Sequence, residues 1–344
     1  MTVHVERLRA ALAPLPRVSL GTWPTPLVRL ERLGAALGVE LWMKRDECSG
    51  LAMGGNKARK LEFVLGSARA AGARSVVTAG PVTSNHTMMT AAAARRLGLD
   101  CHVVLGGRAP DTPTGNLALT HLFGAHVHVT PMDTADPSRG DLAAAQQLSA
   151  RLVAETGGCW IPPGATMPSS VPGYASAILE LLDQLDGEWP FDEVVVAYGT
   201  GSTSAGLYAG LALAGIRATV RAVAVSSRAA MARFDAASPN DLVQAAIDVY
   251  RWPIELAASP ARCEWIRPER EPGYGLPTGA SQDALRRLAR EEGYLLDPTY
   301  TAKAAAEMFA MARDGRLRRG SRVLFIHTGG LPTTAAATHQ ESPS

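Results

Sequence analysis

Lys57 follows two glycines and an asparagine in the run Met53-Gly54-Gly55-Asn56-Lys57-Ala58-Arg59-Lys60-Leu61-Glu62. A lysine becomes a nucleophile when its surroundings lower its pKa, or when a cofactor's carbonyl captures its amine as a Schiff base. Glycines, having no side chain, let a backbone or a flat ring come close. The run lies at the mouth of a helical pattern. Lys57 is therefore either a cofactor-bearing lysine or a solvated charge beside a turn, and taken alone the second role is the commoner.

Four other segments add chemistry. Tyr198-Gly199-Thr200-Gly201-Ser202-Thr203-Ser204-Ala205-Gly206 follows an apolar run and opens a helical one. Free N–H groups and the helix dipole make such a start an anion site, and Thr200, Ser202 and Thr203 add hydroxyl donors. No lysine follows the last glycine, so it is not a Walker loop. Ser204 stands where a dinucleotide fingerprint needs its third glycine. A single phosphate monoester suits the loop, and so does a plain N-capped turn. Gly80-Pro81-Val82-Thr83-Ser84-Asn85-His86-Thr87 also precedes a helix. There Ser84 or Asn85 is an ordinary N-cap, or the segment receives a substrate carboxylate, with His86 as donor or proton shuttle. Gly273-Tyr274-Gly275-Leu276-Pro277 and Asp297-Pro298-Thr299-Tyr300-Thr301 each put a tyrosine on a turn ahead of a helix. His327-Thr328-Gly329-Gly330 ends the last apolar run.

These segments need elements to position them. Short β-branched runs at 75–78, 102–105, 126–130, 193–197, 221–225 and 322–327 predict strands. Most are apolar throughout, as in a parallel sheet buried on both faces. Helical patterns lie at 59–71, 86–97, 114–123, 141–156, 173–186, 202–214, 278–292 and 301–314, each closed by a glycine. The alternation predicts an α/β fold. Three of the candidate segments then fall at the carboxyl ends of strands, where open α/β sheets bind ligands. The proline- and glycine-rich stretch 160–172 is the best internal boundary. The stretch 226–271 is too irregular to assign, and the tail after Pro332 is expected to fray.

Composition excludes several classes. The 344 residues are 47% apolar and 19% charged, and the net charge of +2 gives no argument for nucleic acid or an anionic membrane as partner. Cys48, Cys101, Cys159 and Cys263 lie far apart, with neither disulfide nor zinc spacing, which suits a reducing compartment. His126 and His128 share a strand face but lack a third ligand nearby in sequence, so they read as structural, and no metal is expected. No apolar stretch reaches the length of a membrane span and no signal peptide is evident, so a cytoplasmic location is expected.

In order along the chain, these segments resemble the pyridoxal-phosphate enzymes of fold type II (tryptophan-synthase-β-like). Within them they are most similar to the aminocyclopropane-carboxylate deaminase and D-cysteine desulfhydrase group. The likeness runs from about Pro24 to Pro332. It rests on 54–62, Ser-Asn-His at 84–86, 199–203, Tyr-Gly-x-Pro at 274–277, Leu-Asp-Pro-x-Tyr-Thr at 296–301 and His-Thr-Gly-Gly at 327–330. It implies two open, twisted, mostly parallel sheets flanked by helices. A large domain (1–60 and 171–344) and a small one (61–170) would hold pyridoxal 5'-phosphate in the cleft between them.

Residue by residue, the resemblance implies that Lys57 carries the cofactor as a Schiff base and that Asn85 contacts the ring hydroxyl. Thr200, Gly201, Ser202 and Thr203 would hold the phosphate, with Lys60 nearby, and Thr328 would face the pyridine nitrogen. Ser84, Asn85 and His86 would bind the substrate, with Tyr274 and Tyr300 over it as catalytic partners of Lys57. The implied reaction is α-proton abstraction and β-elimination on a small amino acid, giving a 2-keto acid and ammonia. Ring opening of aminocyclopropane carboxylate, β- or γ-replacement, and cofactor binding without turnover are the alternatives. A nicotinamide dehydrogenase is disfavoured by the broken fingerprint. A homodimer is implied, with no nucleic-acid or membrane partner.

The chain also departs from the group. The deaminases carry Glu after the second tyrosine and Gln after Ser-Asn, where this chain has Thr301 and His86, as on the desulfhydrase side. The desulfhydrases continue with an Arg-Gln pair where this chain has Met88-Met89, and Thr83 replaces a usual Gln. Thr83, His86, Met88 and Met89 are therefore expected to form a more apolar wall, suited to a bulkier or less polar substrate than D-cysteine.

Overall fold

In the computed structural model, residues 2–106, 111–131, 141–227, 238–268 and 273–332 are described. The chain begins with α1 (Val3–Leu12), β1 (Leu27–Arg29), α2 (Glu31–Leu37), β2 (Glu40–Arg45) and α3 (Lys57–Ala70). It continues through β3 (Ser75–Pro81), α4 (Asn85–Leu97), β4 (Asp100–Gly106), α5 (Gly115–Leu122), β5 (His126–Thr130), α6 (Leu142–Thr156) and β6 (Cys159–Ile161). The rest is α7 (Val171–Gln184), β7 (Glu193–Tyr198), α8 (Ser202–Ala214), β8 (Thr219–Ala224), α9 (Pro239–Tyr250), β9 (Arg262–Ile266), α10 (Gly279–Glu292), α11 (Thr301–Arg313) and β10 (Arg322–His327).

The strands form two sheets. One is four-stranded and wholly parallel, in the order β5-β4-β3-β6. The other is six-stranded, β1-β2-β10-β7-β8-β9, parallel except for the antiparallel β1–β2 edge. The near-continuous apolar runs follow from helices on both faces. In β7, Val194 and Val196 pack with Tyr174, Ile178 and Leu207 of α7 and α8, while Val195 and Ala197 pack with Ala304, Ala305 and Met308 of α11. Each Val, Ile, Leu or Met among them contributes roughly 1.5–3 kcal/mol on removal from water. Every residue of α8 is buried. That explains its lack of a polar face, since a helix apolar all round belongs inside.

Where the structure departs from sequence expectation, the causes are physical. β2 (Glu-Leu-Trp-Met-Lys-Arg) carries charges that hide a strand pattern, but Lys44 is buried and paired with Glu180. β6 has only three residues, and β9 alternates because it is a sheet edge. The irregular stretch contains α9, opened by Ser238, whose hydroxyl accepts from the Asp241 N–H at 3.1 Å. The tail from 333 onward lies outside the described residues.

The carboxyl ends of β3, β7, β8 and β10 face a common cleft, from which α3 runs, packed on α4 and α7. Lys57 is the first residue of α3.

Candidate active site

The motif after the two glycines divides by helical phase. Residues three apart share a helix face, so Lys57 and Lys60 point into the cleft while Arg59 and Glu62 point away from it. Glu62, 1% exposed, accepts from the N–H groups of Leu20 and Gly21, from Trp23 Nε1 at 2.8 Å and from Arg17 Nε at 2.7 Å. It ties the N-terminal segment to α3. Arg59 is gripped by Asp46 and Glu180. The conspicuous charges of the motif thus serve two ends, one chemical and one architectural.

The turn before Lys57 requires its glycines. Gly54 has φ 75° and a Cβ there would lie 1.8 Å from the Glu47 carbonyl oxygen, while Gly55 has φ 128° and a Cβ would meet the Thr328 carbonyl oxygen at 2.9 Å. Both conformations are in the region that favours glycine. Asn56, which sequence reasoning did not count as a site residue, sets the direction of the lysine. Its Oδ1 accepts from Lys57 Nζ at 3.0 Å, and its Nδ2 donates to Thr203 Oγ1 at 3.0 Å. Its backbone N–H donates to the Thr328 carbonyl at 3.0 Å.

Burial lowers the Lys57 pKa to about 8, against a smaller opposing pull from the Asp297 carboxylate. Burial, then the charge of Lys57, pushes Lys60 well below the usual lysine range. Lys60 Nζ donates to Ser202 Oγ at 2.8 Å, and among the described residues no carboxylate lies within ion-pair distance of either amine. Two desolvated cations without counter-ions are costly, and an anion beside them relieves that cost. The anion site is at hand. Gly201, φ 99°, turns the chain into α8, whose first N–H groups face Lys60 across the cleft. A Cβ at Gly164 would lie 2.1 Å from Thr200 Oγ1, so this wall of the cradle must be glycine. Donor set, charge and cradle fit a phosphate monoester whose attached ring reaches Lys57.

The depressed pKa has a measurable consequence. At pH 7.4 about one Lys57 amine in five is neutral, against roughly one in a thousand for an ordinary lysine. Covalent capture of pyridoxal phosphate by the cofactor-free chain should therefore rise with pH around a midpoint near 8. Stopped-flow absorbance checks this, and a midpoint near 10 contradicts it.

On the opposite side, Ser84 caps α4. Its Oγ accepts from the N–H groups of His86 at 3.1 Å and Thr87 at 3.3 Å, so what it has left to offer is its own proton. Asn85 Oδ1 accepts from Asn116 Nδ2 at 2.7 Å, which leaves the Asn85 N–H₂ for the cleft. Thr78 Oγ1 donates to the Ile161 carbonyl at 2.8 Å and thus accepts from His86 Nε2 at 2.8 Å. Buried, and next to Lys57 and Lys60, His86 is held neutral, its pKa well below the usual value. In this tautomer Nδ1 carries the lone pair, and the Pro162 backbone nearby is the smallest influence on the ring, opposing the fall in its pKa. His86 is an acceptor here and not an imidazolium that could attract a carboxylate.

Tyr274 and Tyr300 meet at the cleft mouth. Their hydroxyls share one hydrogen bond of 2.7 Å and their rings stand edge to face at 76°. Burial raises both phenol pKa values, Tyr300 well above the usual range. The pair is neutral and keeps one O–H proton for a third partner. Asp297 supports it by accepting the N–H groups of Thr299, Tyr300 and Thr301. Lys303, 4% exposed, donates to the carbonyls of Gly273 at 2.7 Å and Val225 at 3.0 Å, clamping the Tyr274 turn. Neither support was singled out from sequence. A lysine on the apolar face of an alanine-rich helix was the available signal. Thr328, at the end of β10, lines the cleft beside Gly329.

The expected substrate wall is corrected. Met88 and Met89 are each 1% exposed and pack in the core of the four-stranded sheet with Leu61, Val64 and Leu117. Met89 Sδ lies beneath Gly55, 3.6 Å from where a Cβ would stand. Helical phase turns both away from the cleft, whose apolar wall is Ala79, Pro81, Pro163, Ala197 and Val225. Thr83 is exposed and contributes its carbonyl, which accepts from Asn116 Nδ2 at 2.8 Å. Far from the cleft, His102 joins His126 and His128 across the β4–β5 register. Its Nδ1 lies 3.1 Å from His128 Nε2, and no cluster among the described residues has the make-up of a metal site.

A family model for pyridoxal-phosphate-dependent enzymes matches residues 18–329. The chain is 36% identical over 336 residues to a putative 1-aminocyclopropane-1-carboxylate deaminase of Pyrococcus horikoshii, covering 95% of this chain and 96% of that one. It is also 36% identical over 338 residues to a D-cysteine desulfhydrase of Salmonella schwarzengrund, with 94% and 97% covered. A solved structure of an ACC deaminase homologue superposes with a TM-score of 0.81 at 34% identity, covering 97% and 98% of the two chains.

Proposed function

Because the chain belongs to the pyridoxal-phosphate-dependent enzyme family, we propose that it is a lyase of the D-cysteine desulfhydrase kind. It removes the α-proton of a small amino acid and expels the β-substituent, releasing a 2-keto acid and ammonia. The observation that carries this is the pair Lys57 and Lys60, one helical turn apart, desolvated and unpaired with carboxylate, opposite the N-terminus of α8.

Bound there, the cofactor supplies an electron sink for the carbon that loses its proton. Lys60, Thr200, Gly201, Ser202 and Thr203 would hold the phosphate, Asn85 would meet the ring oxygen, and Thr328 the pyridine nitrogen. Lys57 Nζ, half of it neutral near pH 8, would take the α-proton, directed by Asn56. Ser84 donates its free proton to the substrate carboxylate, beside the N-terminus of α4. His86, neutral and accepting, faces the substrate ammonium side better than its carboxylate. The spare O–H of the Tyr274–Tyr300 pair would donate a hydrogen bond to the departing group.

A second reading, ring opening of aminocyclopropane carboxylate, draws on the name of one relative. Thr301 speaks against it: its hydroxyl bonds to Asp297 Oδ1 at 2.7 Å and it is fully buried, so this position offers the cleft no acid or base. Keto-acid and ammonia release should be measured on D- and L-cysteine, D- and L-serine, cysteate and aminocyclopropane carboxylate. Release from a cysteine or serine enantiomer, at least tenfold above the cyclic substrate, is expected. Turnover of the cyclic substrate alone supports the second reading, and keto acid from none of them sinks both.

The same reading includes a large domain (1–60 and 171–344) and a small one (61–170), a homodimer and a cytoplasmic location. In its support, the six-stranded sheet draws its strands from 27–45 and 193–327 and the four-stranded sheet from 75–161. No helix among the described residues is long and apolar enough to cross a membrane.

A further inference from the structure

Asn85 is placed to face the cofactor ring, but nothing in Asn85 itself decides whether it offers a donor or an acceptor. An amide can turn over, exchanging Oδ1 for Nδ2 at nearly the same positions. The decision is made one residue further out. Asn116, in the first turn of α5 and 5% exposed, places its Nδ2 2.8 Å from the Thr83 carbonyl oxygen and 2.7 Å from Asn85 Oδ1. Its two N–H bonds are both used. A backbone carbonyl only accepts, so the Thr83 carbonyl holds the N–H₂ of Asn116 on its own side. Turned over, Asn116 would set Oδ1 against that carbonyl, two acceptors in contact in a buried place. Its Oδ1 meanwhile has no hydrogen-bond partner among the described residues. A buried acceptor left unmet is disfavoured, so local satisfaction of Asn116 does not explain this orientation. The two bonds through Nδ2 do.

We infer that Asn116 is a positioning residue for cofactor binding: anchored by the Thr83 carbonyl, it fixes the amide of Asn85 so that Nδ2, a donor, faces the ring oxygen of pyridoxal phosphate. The ring oxygen is electron-rich and a donor stabilises it, whereas an acceptor in the same place repels it. The inference rests on the reading that places Asn85 at the ring, and it adds the residue that sets the polarity of Asn85. Asn116 acts through Asn85 and touches no substrate.

The test uses pyridoxal phosphate itself, with its dissociation constant and the pH titration of its visible absorbance band as readouts, in Asn85→Ala, Asn116→Asp, Asn116→Leu and the double variant Asn85→Ala/Asn116→Asp. Asn116→Asp preserves shape but supplies acceptors, so Asn85 must turn its N–H₂ outward and present Oδ1 to the ring. Affinity should fall by roughly tenfold or more, and the titration midpoint should shift. Asn116→Leu frees Asn85 and should fall between wild type and Asn116→Asp. In the double variant the Asn116→Asp change should add nothing, because the group it acts through is gone. If Asn85→Ala leaves affinity and spectrum unchanged, the placement of Asn85 at the ring is wrong and this inference falls with it. If Asn85→Ala weakens binding but Asn116→Asp does not, or costs as much with Asn85 removed as with it present, Asn116 is not the positioning residue while the proposed function stands.

Discussion

Replacing Lys57 by alanine should remove both the absorbance band of the Schiff base with the cofactor and turnover, the latter by at least a thousandfold. Two roles disappear together. The amine that captures the carbonyl is gone, and so is the base for the α-proton, a role worth about 10²–10⁴-fold by itself. Lys60 cannot substitute. It lies one turn along α3, fully buried, with Nζ committed to Ser202 Oγ at 2.8 Å. Phosphate binding should survive in the variant, because Lys60, the α8 N-terminus and Thr200 are untouched, so pyridoxal phosphate should still bind reversibly, without a covalent bond. Absorbance and keto-acid release on purified Lys57→Ala decide the matter. Persistence of both would remove Lys57 from the chemistry.

Two residues on, Arg59→Ala should unfold the protein more readily by about 3–5 kcal/mol. Arg59 is 1% exposed and grips two carboxylates at once. Its Nε and Nη2 donate to Asp46 at 2.9 and 2.8 Å, and Nη1 and Nη2 to Glu180 at 2.8 and 2.9 Å. Trp23 lies across the guanidinium at 4.0 Å. Burial alone would raise the pKa of Asp46, yet Arg59 and the Tyr174 hydroxyl hold it below the usual carboxylate range. Without Arg59, Asp46 keeps hydrogen bonds from Tyr174 and Thr25 at a position fully shielded from solvent. Lys44 can balance one carboxylate, Glu180, but not both. The damage should spread to the site, because the Asp46 carbonyl accepts from the Gly55 N–H at 2.9 Å and so braces the turn that delivers Lys57. Urea denaturation with and without pyridoxal phosphate measures both effects. A loss under 1 kcal/mol would show that solvent reaches the pair.

How much of this was legible beforehand depends on the range of the interaction. The α/β alternation was visible because β3, β4, β7, β8 and β10 each carry a largely apolar run, a consequence of helices on both faces that leaves its mark in each strand separately. β2 escaped notice because its buried charge, Lys44, is neutralised by Glu180, far along the chain. The stretch 226–271 hid β9 for a different reason: an edge strand carries only half a pattern.

The site follows the same division. Gly54, Gly55, Asn56 and Lys57 act within a single turn and a helix start, so their types and spacing announce them. The same holds for Ser84 as an N-cap and for the glycine turn into α8. Sequence alone therefore determined that one lysine stands at a glycine turn ahead of a helix, with anion-binding helix starts elsewhere in the chain. Only the tertiary structure decided which faces meet. It put Lys60 against Ser202, 142 positions away, paired Tyr274 with Tyr300, turned Met88 and Met89 into the core, and made His86 neutral. These are matters of helical phase and of desolvation by distant segments. Phase is settled by packing, and desolvation lowers a lysine to a pKa of about 8 only once the rest of the fold has excluded water around it.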